Sequence, residues 1–152
     1  MRIEDEIKQK EFKSAYQKLT VNLLFTTNWL SASHSRILKP YGISIQQYNI
    51  LRILRGQHPN HIIMGAILER MLDKSSNVTR LVDKLEAKLL VTRTTCSDDK
   101  RKFEVKITDE GLLILKKLDK ITSDFTNYLE QITEEEALKM SDLLDKMRDI
   151  KF

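Results

Sequence analysis

The stretch LDKSSNVTRLVDKLEAKLLVTRTTCSDDKRKFEVKITDEG, Leu72–Gly111, changes its hydrophobic period halfway along. Val78, Leu81, Val82, Leu85 and Leu89 recur at i, i+3, i+4, i+7 and i+11, the spacing of one apolar helical face. The opposite face carries Ser76, Asn77, Thr79, Arg80, Asp83 and Lys84. Asp73-Lys74-Ser75-Ser76 is rich in capping side chains, which predicts a turn and then a helix running to about Lys88. From Leu90 to Cys96 the residues are β-prone, and Phe103, Val105 and Ile107 alternate with Glu104 and Lys106 at strand period. A two-stranded ribbon with a charged tip over Asp98–Lys102 is expected.

Upstream, residues 4–38 read as one long helix, with Ile7, Phe12, Tyr16, Leu19, Leu23, Leu24, Trp29, Leu30 and Ile37 apolar. A helix this long has more apolar surface than a small domain covers, which implies packing on a second subunit. Pro40-Tyr41-Gly42 ends it, and Ser44 with Gln47 forms a capping box for the next helix, whose buried stripe is Tyr48, Leu51 and Leu54. After a loop at Gly56–Asn60, a short helix over Met64–Leu72 turns Ile67, Leu68 and Met71 inward. Downstream, Thr108 opens a helix bearing Leu112, Leu115, Leu118, Ile121, Phe125 and Leu129. A second capping box at Thr133–Glu136 opens the last helix, with Leu138, Met140, Leu143, Leu144 and Met147 apolar.

Composition narrows the function classes. With 41% hydrophobic and 32% charged residues, the chain is a soluble, folded type. One cysteine, Cys96, excludes an internal disulfide. The N-terminus lacks an apolar signal core and no run of about 18 apolar residues exists. A cytoplasmic protein without a membrane span is expected. Residues 74–106 hold nine Lys/Arg against five Asp/Glu, whereas residues 107–152 hold seven against eleven. A basic middle and an acidic end suit one face for phosphate and another for something else.

Helix, helix, short helix, turn, polar-faced helix and basic-tipped ribbon is the order of a winged helix-turn-helix. A reading helix needs one apolar face for its scaffold and one polar face for base edges. Ser75, Ser76, Asn77 and Thr79 are short hydrogen-bonding side chains, and Arg80 and Lys84 lie one turn apart. Lys100, Arg101 and Lys102 put three cations at the ribbon tip, suited to a minor groove or backbone. An ordinary amphipathic surface helix or a solvated turn would explain either feature alone; both in this order point to double-stranded DNA as the partner.

Thr79-Arg80-Leu81-Val82-Asp83-Lys84-Leu85-Glu86, then Arg93, Asp99-Lys100-Arg101 and Ile107-Thr108-Asp109-Glu110-Gly111, resemble the DNA-binding core of MarR-type (multiple antibiotic resistance) regulators. The resemblance implies a mainly α fold with a small β-wing. The winged domain would span residues 39–111, and residues 1–38 and 112–152 would form a helical dimerisation region. It implies a homodimer on a pseudo-palindromic operator, acting as a repressor released by a small phenolic or anionic effector. Ser75, Ser76, Asn77, Thr79 and Arg80 would face the major groove. Arg101 would enter the minor groove, Asp99 would orient the wing through an arginine, and Lys100 and Lys102 would contact phosphates. Two positions depart from the pattern. Leu89 stands where the family often has glycine, making a left-handed helix cap costly. Leu68 stands where a small alanine is usual.

Other features carry less. Cys96 reads as a packing residue on a strand, and His58 and His61 as loop residues, so no metal is expected. Tyr16, Phe25, Trp29 and Tyr48 are candidates for an aromatic cavity or plain core, and no effector residue is singled out. No nucleophile triad, phosphate loop or cofactor motif is present, so no enzyme and no cofactor are expected. A helical interaction module that kept the fold without binding DNA is the alternative.

Overall fold

The structure, a computed structural model, describes residues 1–96, 99, 101–126 and 131–149. Two compact units divide the chain, Met1–Leu112 and Leu113–Phe152. In the first unit the expected long N-terminal helix is two pieces, α1 (Ile3–Glu6) and α2 (Ala15–Leu38). The cause lies in the pattern: Ile7 to Phe12 is a five-residue step that leaves the helical stripe. Lys8 takes a left-handed φ of 56°, and extended Ser14 caps α2 by accepting the Gln17 N–H at 3.1 Å. Glu4 on α1 then meets Lys18 on α2 at 2.5 Å.

α2 ends in a 3-10 turn, Lys39–Tyr41, closed by Gly42 at φ 63°. α3 (Ile45–Gln57) starts at the predicted capping box of Ser44 and Gln47. Its Ile50, Leu51 and Leu54 are buried, while Tyr48 is half-buried beneath Arg52. Ile62–Ile63 forms β1, then α4 runs Met64–Arg70. Ile67 and Met71 are buried, but Leu68, expected inside, is exposed.

α5 spans Val78–Glu86, starting later than expected. Ser75 and Ser76 lie in the turn before it, and Asn77 is its cap, accepting the Arg80 N–H at 3.1 Å. Asp73 organises that turn: its carboxylate accepts the Ser75 N–H at 3.0 Å and the Ser75 hydroxyl at 2.6 Å. The Ser75 hydroxyl and then its N–H hold the Asp73 carboxyl below its usual range.

The far end of α5 closes on Leu89, at φ 60°. The Leu89 N–H donates to Glu86 O at 2.8 Å and the Leu90 N–H to Leu85 O at 3.0 Å. That is a Schellman cap built without its usual glycine. Thr108 secures it from the other side, donating its hydroxyl to Leu89 O at 2.7 Å and its N–H to Leu90 O at 3.1 Å. Gly111 must lack a side chain, because a Cβ there would lie 2.3 Å from Leu90 O.

The ribbon has β2 (Val91–Thr95) and β3 (Phe103–Ile107), antiparallel with Val91 opposite Ile107 and Arg93 opposite Val105. Two strands were expected and three are found: β1 pairs β3, Ile62 opposite Val105. A two-residue strand is too short to show a period, so the sequence could not reveal it.

α6 (Asp109–Thr126) begins in the first unit, with Leu115 and Leu118 buried farther along it. Leu129 of its expected stripe lies outside the described residues. In the second unit α7 (Glu134–Arg148) opens on the predicted Thr133–Glu136 capping box, and its Leu138, Met140, Leu143 and Met147 are exposed.

Two outcomes are expected. Leu89 is 73% exposed, so Leu89→Gly loses little packing and relieves the left-handed strain. It should stabilise by about 1 kcal/mol and raise Tm by roughly 2–4 °C, read by calorimetry at fixed protein concentration. Asp73→Asn should lower the urea midpoint at pH 7. A depressed carboxyl contributes stability above the usual aspartate pKa of about 4 and loses it as pH falls through the folded value. The difference from wild type should therefore shrink in acid and disappear once both states are protonated.

Candidate nucleic-acid interface

Val78, Val82 and Leu85 hold one side of α5 in the core. The helix rotation this forces leaves Thr79, Arg80, Asp83 and Lys84 exposed on the other side. Arg80 and Lys84 line a shallow groove of about 320 Å³ together with Asp73, Asn77 and Gln46 of α3. Among the described residues neither Arg80 nor Lys84 has a carboxylate within salt-bridge distance. Lys88, one turn on, instead donates back to Gly42 O. Thr79 is exposed, its hydroxyl 3.7 Å from the Met64 sulfur, a weak acceptor.

The nearby acids are engaged. Asp83 and Glu86 both hold Arg93 of β2, at 2.7 and 3.1 Å. The Arg93 guanidinium also lies 5.2 Å from the centre of the Phe103 ring. One side chain thus ties the base of the wing to α5. The sequence pattern places Asp83 on the outward polar face without a task; Arg93, a cation within the β-prone run, is the available signal for this bracket.

At the wing, Asp99 accepts the Arg101 backbone N–H at 3.0 Å and its Nε at 3.4 Å, with Lys102 Nζ at 3.5 Å. The Arg101 N–H is the leading reason that the Asp99 carboxyl is held below its usual range. The Arg101 side chain is nevertheless 93% exposed, and Lys102 is exposed too. Lys100 lies outside the described residues. The Cys96 N–H donates to Lys102 O at 2.9 Å, closing the ribbon, and its thiol is half-buried.

The nominated residues thus split. Thr79, Arg80, Lys84, Arg101 and Lys102 point to solvent, whereas Ser75, Ser76 and Asn77 build the turn and cap at the start of α5. The nominated aromatics do not converge. Phe25 and Trp29 line a pocket of about 170 Å³ with Met1 and Ile3, but Tyr16 is 82% exposed and Tyr48 sits on α3. Among the described residues no three His, Cys, Asp or Glu side chains cluster as a metal ion requires. No described helix is long and apolar enough to cross a membrane.

The model of the MarR family matches residues 43–103, from the approach to α3 through the wing. The HTH-type transcriptional repressor MdtR of Bacillus subtilis is 31% identical over 114 residues, 72% of this chain and 70% of that protein. The crystal structure of a MarR transcription factor from Planctomyces limnophilus is also 31% identical. It superposes with a TM-score of 0.68 over 89% of this chain and 98% of its own. The S. aureus MepR–DNA complex, at 22% identity, shares the fold with a TM-score of 0.76 over 90% of this chain and 96% of its own. Helix order, wing and similarity to a repressor over most of its length agree, and this chain belongs to the MarR family of DNA-binding transcription regulators.

Proposed function

We propose that this regulator is a homodimeric repressor that sets α5 of each copy into successive major grooves of a pseudo-palindromic operator. The observation that carries this reading is the charge arrangement. Arg80, Lys84 and Arg101 point outward, while Asp73, Asp83, Glu86 and Asp99 are each held by partners within the fold. Asp83, Glu86 and Asp99 are ion-paired within the fold, Asp73 keeps its charge, and Arg80 and Lys84 are left to face phosphate. The MepR relative is solved on DNA, and MdtR is named a repressor.

In this reading Thr79, Arg80 and Lys84 face bases and backbone, and Arg101 and Lys102 lie along the minor groove or its edge. Residues 39–111 act as the DNA-binding domain, and residues 1–38 and 112–152 as the dimerisation region. Exposed apolar side chains support the latter assignment: Tyr16, Leu19 and Leu24 on α2, and Leu138, Leu143 and Met147 on α7. A small phenolic or anionic effector would release DNA by changing the spacing of the two reading helices. The pocket beside Phe25 and Trp29 is the aromatic-lined space that α2 provides for it.

Selection from a random DNA pool, followed by anisotropy titrations at several salt concentrations, tests the reading. Arg101→Ala should weaken binding to every sequence and lower the salt slope by about one unit per bound copy. Unchanged affinity and slope would remove the wing from the interface. Arg80→Ala should relax preference at one base position per half-site, a discrimination of about 1–3 kcal/mol.

A further inference from the structure

The turn before α5 withholds three side chains of the kind that reads bases, two by hydrogen bonds and one by burial. Ser75 donates its only hydroxyl proton to Asp73 at 2.6 Å, while the Ser76 Oγ is buried and makes no hydrogen bond. The Asn77 carbonyl oxygen caps α5, so the amide cannot offer a donor and an acceptor together to an adenine edge. Diverting Asn77 to DNA would leave the Arg80 N–H without its acceptor, and diverting the Ser75 hydroxyl would take a hydrogen bond from the Asp73 carboxylate.

Gln46 is in the opposite position. It is the second residue of α3, and the cap of that helix is complete without it: Ser44 and Gln47 satisfy each other at 2.9 and 3.2 Å. The half-buried Gln46 side chain has no hydrogen-bond partner among the described residues. It lines the same open groove as Arg80 and Lys84, from the facing helix. A free primary amide carries one donor and one acceptor side by side, the pattern that pairs with N6 and N7 of adenine in the major groove.

We infer that Gln46 is a specificity-determining residue, reading an adenine edge beside the base contacted by Arg80. The inference rests on the DNA-binding reading above. It requires that sequence is read here from α3 as well as from the reading helix, because the side chains at the start of the reading helix are withheld within its own turn.

Selection from a random DNA pool with wild type, Gln46→Ala and Gln46→Glu tests it, with circular dichroism confirming the fold of each. Gln46→Ala should lose about tenfold of discrimination at one position per half-site, with the salt slope unchanged because no charge is removed. Gln46→Glu should shift that position toward cytosine, whose N4 amino group donates to a carboxylate. Base preference that stays the same in both variants overturns the inference, whether affinity is kept or falls equally on all sequences. Failure of wild type to select any DNA overturns the DNA-binding reading itself, and the role of Gln46 with it.

Discussion

Burial of Val78, Val82 and Leu85 is the constraint on which the proposed DNA-facing surface depends. Val82 and Leu85 are fully buried and Val78 nearly so, and each such side chain contributes about 1.5–3 kcal/mol by leaving water. A nine-residue helix is too short to be stable alone. Its rotation is set by these three side chains, and that rotation is what turns Arg80 and Lys84 outward.

Both ends of the helix are then fastened by polar contacts of different kinds. At the start, the Asp73 carboxylate holds Ser75 and its backbone carbonyl accepts the Ser76 N–H while Asn77 caps, so the chain enters α5 in a defined direction. At the finish, Leu89 takes a conformation that glycine would adopt more readily, and Thr108 clamps its carbonyl. Thr108 also receives the Gly111 N–H on its hydroxyl at 3.1 Å, so one residue closes α5 and opens α6. The Thr-x-x-Gly sequence thus has a packing cause: the hydroxyl serves two backbones, and the glycine lets α6 pass close to Leu90.

Arg93 links the two parts of the proposed interface, α5 and the wing. Exposed ion pairs usually contribute little, but this one is bidentate across two helix residues and rests on an aromatic ring. It also offsets one of the two negative charges that Asp83 and Glu86 bring to this surface. The same logic holds at the wing tip, where Asp99 shapes the turn through the Arg101 backbone and leaves most of the guanidinium in solvent. Asp83, Glu86 and Asp99 are tolerable in the proposed DNA-facing surface because each is already ion-paired.

The sequence alone determined the elements whose cause is local. The capping boxes at Ser44 and Thr133 and the apolar face of α5 follow from residues within a few positions of each other. So does the strand period of β3, and with the motif residues they identified the winged fold. Tertiary structure decided what depends on residues distant in sequence. It added β1 to the sheet, which two residues cannot announce, and turned Leu68 outward. It let Leu89 stand in a glycine's place, because Thr108, nineteen positions away, holds its carbonyl. It also separated Ser75 and Asn77, occupied by their own turn, from Gln46, which faces Arg80 across a groove. Side-chain type states what a residue is able to bond; only the folded neighbourhood determines which of those bonds are already made.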